Sequence, residues 1–133
     1  MGMRESIKDA KIEDIKARLD EHGIDVSEID LPLSDDSAEA LKKLVAIGIF
    51  KDRPDFVKFL AAAYLKNNLG VAMSEDKAPP ESTIREIIKE NRIDRDFSDA
   101  DKKKLLALLT VGFMAVRRYM ATTKGRAAER SLA

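Results

Sequence analysis

The sequence predicts a mostly α-helical single domain of about five helices, and three observations lead there. The first is composition. In 133 residues, 44% are apolar and 36% charged, aromatic residues make up only 5%, and there is no Trp or Cys. A chain of this length can enclose one real core. That core must be built mainly of Leu, Ile, Val and Ala, which favours helices. The second is periodicity: apolar residues recur at helical spacing in several windows, each bounded by helix start or stop signals. The third is the run Leu105–Val116, twelve residues without a charge between Lys102–Lys104 and Arg117–Arg118. As a helix it rises about 18 Å, short of the roughly 30 Å core of a bilayer. No membrane span is expected. A helix apolar on nearly every side is expected at the centre of the fold, with the other segments around it.

The first helix is expected over 7–22, with Ile12, Ile15 and Leu19 on one face and Gly23 as its C-terminal cap. Residues 24–34 read as an extended connection. Ile29, Leu31 and Leu33 alternate there with polar or Pro positions, which allows at most one short strand near 29–33. Asp36 and Glu39 have capping-box spacing and open a helix over 36–47, closed by Gly48. A tight turn, Lys51–Pro54, leads into a third helix over 54–68 that buries Phe56, Val57, Leu60, Ala61, Tyr64 and Leu65. Residues 71–80 hold Pro79 and Pro80 in a polar stretch and read as a mobile connector. Thr83 and Glu86 open a fourth helix that runs to about Asn91. Ser98 and Asp101 open the fifth, which reaches Met120. Gly112 inside it costs about 1 kcal/mol relative to Ala and suits close approach of another helix. Residues 122–133 are expected to fray.

The same residues exclude several chemistries. Without Cys there is no disulfide and no thiolate metal site. His22 is the only histidine and stands in the last turn of its helix, where it suits the dipole. Nothing near it completes a catalytic or metal set. Acids alternate from Asp94 to Asp101, but a calcium loop needs Gly at its sixth position and Glu at its twelfth. Asp99 and Leu105 stand there instead. There is no glycine-rich phosphate loop. No metal, cofactor or small-molecule substrate is therefore expected. Residues Met1–Ser6 lack an apolar leader, so a cytoplasmic location is expected. Net charge is zero but uneven: residues 1–35 carry five basic and ten acidic side chains, and residues 81–133 carry twelve and eight. An acidic front and basic back could steer a partner or favour head-to-tail contacts.

The chain also echoes itself. Ile15–Asp25 aligns with Ile84–Asp94 and, after a five-residue omission, Leu33-Ser34-Asp35 meets Phe97-Ser98-Asp99. Leu41, Leu44 and Gly48 then meet Leu105, Leu108 and Gly112. This allows two related helix–loop–helix halves, 7–70 and 81–121, joined by the connector 71–80.

Ile29-Asp-Leu-Pro-Leu33, Leu41-Lys-Lys-Leu-Val-Ala-Ile-Gly-Ile-Phe50 and Lys51-Asp-Arg-Pro-Asp-Phe-Val57 together resemble ribbon-helix-helix proteins. The likeness covers residues 29–66, about a quarter of the chain. It implies an intertwined dimer whose paired strands enter the DNA major groove. The outward strand positions, where that family carries base-reading side chains, hold Glu28, Asp30 and Pro32 here. Two carboxylates oppose phosphate, and Pro offers no donor.

The expected function is a non-enzymatic helical module for protein–protein interaction or dimerisation, binding itself or another protein. Its candidate interface is Phe50, Phe56, Phe59, Tyr64 and Phe113. The alternative is a DNA-associated transcriptional regulator of the ribbon-helix-helix kind, with contacts through Arg117, Arg118, Lys124, Arg126 and Arg130.

Overall fold

The computed structural model describes residues 9–21, 23–73, 77–122 and 124–127, and the statements below concern those residues. The chain folds as a mostly α single helical domain. In order come α1 (Ile12–Glu21), a 3-10 turn (Val26–Glu28), α2 (Asp35–Ala46), α3 (Arg53–Lys66), the short α4 (Leu69–Ala72), α5 (Glu81–Glu90) and α6 (Asp99–Met120). No strand forms among the described residues. Residues 29–34 connect the 3-10 turn to α2 without pairing, and Ile29 and Leu31 are buried there.

Helix starts are set by side-chain caps. Ser34 accepts from the N–H of Ser37 and Ser98 from that of Asp101. Asp52 caps α3 through Asp55, one position before Arg53 and Pro54. Two expected starts are corrected. The Asp36–Glu39 spacing does not cap α2, because Ser34 does so first. Thr83 lies inside α5, which begins at Glu81: Pro80, at φ −54°, already has the backbone set for a first turn.

Three helix ends share one device. The N–H of Gly23 bonds to Asp20 O and that of Ile24 to Leu19 O, closing α1 with a left-handed residue at φ +80°. Gly48 and Ile49 close α2 in the same way, and Arg92 and Ile93 close α5. Arg92 pays the left-handed strain without being a glycine, at φ +52°. The two helices that the echo aligns, α1 and α5, are both ten residues long and end in the same turn. Their successors differ. Gly48 takes φ +83° and stops α2, whereas Gly112 lies inside the 22-residue α6.

The most deeply enclosed element is α3, not α6. Every residue from Phe59 to Tyr64 is buried. One side of α3 packs on α1 and another on α6, and α6 in turn packs on α2 and α5. Gly112 lies against Leu60, so close that an added Cβ would fall 2.6 Å from Leu60 Cδ1 and 3.3 Å from Cγ. The expectation of close approach at Gly112 is met there.

Ion pairs latch these contacts. Lys16 of α1 donates to Asp55 of α3 at 2.6 Å, and the Lys51 N–H reaches the same carboxylate at 2.9 Å. Burial pushes the Asp55 carboxyl up. The bonds from Lys16 and Lys51, with the charges of Lys16 and Lys58, outweigh it and hold the carboxyl below the ordinary carboxylate value. The carboxyl therefore stabilises the fold above its unfolded value of about 3.9, and that contribution is lost as pH falls below it. Asp55→Asn is expected to cost about 1–2 kcal/mol at neutral pH. Denaturant titration should find this deficit at pH 7 and find it shrinking as pH falls from the unfolded carboxylate range through the lowered folded value.

The connector and the tail are described in part. Of the connector 71–80, residues 74–76 lie outside the described residues, but Met73 before them is fully buried and Pro79 after them is buried. Of the tail 122–133, residues 124–127 form a helical turn. Thr122 Oγ1 accepts from the Gly125 N–H at 3.0 Å, and an added Cβ on Gly125 would fall 2.7 Å from Met120 Cα. In the tail expected to fray, this turn reaches Ala127. Thr123 and residues 128–133 lie outside the described residues, as does His22.

Candidate interaction surface

The aromatic residues expected to form an interface are core. Phe50, Phe56, Phe59, Tyr64 and Phe113 all belong to one buried cluster, with Phe56 and Phe113 fully enclosed. Phe50 meets Phe56 edge-on and Phe59 at a tilt, both with ring centroids 5.2 Å apart. None of the five is available for docking on this chain. The physical reason is the turn at Gly48: it ends α2 and sends the chain into α3, both of which pack on α6, and Phe50 in that turn is carried inward against Phe56 and Phe59.

The basic residues expected to face nucleic acid are scattered or already engaged. Lys124 donates to Glu28 at 2.7 Å, and that bond holds its ammonium above the ordinary lysine value. Arg117 is half-buried and reaches Gly70 O at 3.5 Å. Arg126 and Arg118 are exposed, and Arg130 lies outside the described residues. Part of the acidic front is likewise taken up within the chain. Besides Glu28, Asp20 pairs with Lys58 at 3.5 Å. Between α2 and α6, Lys104 pairs with Glu39 at 2.7 Å and Lys43 with Asp101 at 3.2 Å, while Lys43 also lies 4.6 Å from the Phe97 ring centroid.

Among the described residues, two of the open grooves exceed 400 Å³. One, of about 540 Å³, lies between the start of α1 and the ends of α3 and α5, over Ile49, Phe50, Phe59 and Ile93. Its rim carries Asp9, Lys11, Glu13, Lys66, Glu90 and Arg95, three of each sign. Lys66 is bonded to Ala10 O at 2.6 Å. The other, of about 460 Å³, runs along Asp25–Leu31 beside Arg53 and Val57, and Arg53 donates to Leu31 O at 3.1 Å. Lys66 and Arg53, each bonded to a backbone carbonyl across its groove, make these grooves seams between elements. No described group of His, Cys, Asp or Glu could hold a metal ion.

The surface that stands apart is the outer face of α6. Its buried positions, Leu105, Leu108, Leu109, Gly112, Phe113, Ala115, Val116, Tyr119 and Met120, share one side of the helix. The expectation that α6 is enclosed on every side is thereby corrected: α2, α3 and α5 gather on that side. On the opposite side, Ala107 is exposed, and Leu106, Thr110, Val111 and Met114 are partly exposed. The Thr110 hydroxyl donates to Leu106 O at 2.8 Å, so it presents mainly its methyl group outward. Lys103 and Arg118, both exposed, bound this stripe. Val71, the most exposed large apolar side chain described at 70%, follows Gly70, whose carbonyl accepts from Arg117 at the same end of α6. No helix among the described residues is long and apolar enough to cross a membrane.

The spacing 107, 110, 114 was open to inspection in the sequence. What concealed it was the all-apolar run, which hides the helical period. Comparison of the chain with known protein families, with curated proteins and with solved structures finds no match.

Proposed function

We propose that this chain is a non-enzymatic helical interaction module whose working surface is the outer face of α6. The observation that supports this is the uncharged stretch Leu105–Val116 in a helix that needs only one side for its core. A helix at a surface ordinarily carries charged or polar side chains outward. Here the outward positions Leu106, Ala107, Thr110, Val111 and Met114 carry no charge over about two and a half turns, and the one hydroxyl among them is bonded to Leu106 O. An apolar strip rimmed by charges, Lys103 at one end and Arg118 at the other, has the composition of a docking contact with an apolar centre and a polar rim.

A DNA-binding reading has less to support it. Lys124 is spent on Glu28, and the cations on α6 flank an apolar strip instead of lining a phosphate track.

A photoreactive side chain at position 107, compared with one at exposed Glu86 on α5, tests the proposal. Irradiation in extract of the source cells should give discrete protein adducts from position 107 and few from position 86. Equal yields from both positions, or none from 107, would reject the α6 face as a working surface.

A further inference from the structure

The charges at the two ends of the α6 face indicate what covers it. Asp99 is fully exposed at the start of α6, with a Lys102 ammonium 3.8 Å away. Arg118 is exposed near the end and has no ion pair or side-chain hydrogen bond among the described residues. On a helical wheel both fall on the outer side, along with Lys103, Ala107, Thr110 and Met114. Counted from the midpoint between Leu108 and Leu109, Asp99 lies as far to one side as Arg118 lies to the other. Lys103 and Met114 are related in the same way, and so are Ala107 and Thr110.

We infer that the occupant of this face is a second copy of this chain, packed through α6 in an antiparallel, two-fold arrangement. Such a contact is isologous: one patch meets itself reversed. In this register Asp99 faces Arg118 of the second copy, twice over. The Lys103 stem lies along Met114 of the second copy with its ammonium in water. Ala107 and Thr110 stand at the midpoint, where short side chains let two helices approach. Opposite charges at equal distances from the centre favour the antiparallel pairing. A parallel pairing would set Asp99 beside Asp99 and Arg118 beside Arg118. The inference rests on the α6 face being a working surface. One helix face from each copy makes a contact below the roughly 1,200 Å² of a standard interface, so the dimer is a weak, exchanging one.

Charge reversal tests the register with the intact chain. Sedimentation over a micromolar-to-millimolar series should show monomer passing to dimer. Asp99→Arg and Arg118→Asp should each weaken association roughly tenfold, since each sets like charges opposite one another at both ends. The doubly reversed chain should recover most of the parent affinity. It also places each charge at the wrong end of the helix dipole, so its melting temperature should fall while its association returns. A purely structural effect cannot move those two readouts in opposite directions. Ala107→Glu should leave a monomer. A dimer indifferent to all these changes, or one lost on changing Ile29 or Asp30 instead, would overturn the inference. So would a parent chain that stays monomeric throughout. In that last case, adducts from position 107 to a different protein would still uphold the interaction module, whereas an absence of adducts would remove both.

Discussion

Phe113→Ala should destabilise this protein by about 3–5 kcal/mol, lowering its melting temperature by roughly 10–20 °C. The ring is fully buried in the main cluster, where α6 meets the rest of the core. Truncation removes its transfer energy and leaves a cavity that the packed neighbours cannot close. Total stability for a domain of this size is about 5–15 kcal/mol, so a large share is at stake. The experiment also separates two readings of the aromatic residues. If Phe113 were an interface residue, its loss would weaken association and leave the monomer's stability nearly unchanged. Buried as it is, the loss should appear in denaturant titrations of the monomer at low concentration.

The second large effect is at the crossing of α3 and α6. Gly112→Ala brings a gain of about 1 kcal/mol in helix propensity. Against this, the new methyl would stand 2.6 Å from Leu60 Cδ1 and 3.3 Å from Cγ. Leu60 is fully enclosed and has little room to turn away. Overpacking of this kind costs about 1–3 kcal/mol, so the net change should be a loss of about 1–2 kcal/mol. The sign should reverse once Leu60 is shortened. In a Leu60→Ala background, itself costing about 2–5 kcal/mol, the methyl enters free space and the propensity gain of about 1 kcal/mol should emerge. Equal effects of Gly112→Ala in both backgrounds would mean that the two helices do not meet there.

Much of the fold was legible because helices announce themselves locally. Ser98 with Asp101, Gly23 and Gly48 are boundary signals that depend on a few neighbouring residues, and they stand where the sequence placed them. Arg92 was not legible as a helix end, since a left-handed arginine leaves no compositional mark. Thr83 misled for the opposite reason: its spacing to Glu86 is right, but Pro80 started α5 earlier. The positions of whole helices relative to one another were less accessible. The run Leu105–Val116 was expected to be enclosed because it lacks charge, yet burial depends on how many neighbours reach it, and α1 is spent on α3. The aromatic residues were misjudged in the same way. Phe50, Phe56 and Phe59 come from two sides of one turn and collapse on one another, which becomes apparent only when the turn is closed. Net charge along the chain could not reveal that Glu28 and Lys124, 96 residues apart, would meet.

The most direct measurement is a residue-resolved one: amide and methyl NMR spectra of the intact chain across a dilution series from millimolar to micromolar. The account predicts concentration-dependent shifts confined to α6 and its rim, centred on Ala107, Thr110 and Met114 and extending to Asp99, Lys103 and Arg118. Signals from Phe56 and Phe59 in the core, and from Ile29 and Asp30, should stay fixed. Spectra that do not change with concentration, or shifts that gather at 29–33 or around the groove beside α1 while Ala107 and Met114 remain still, would contradict it.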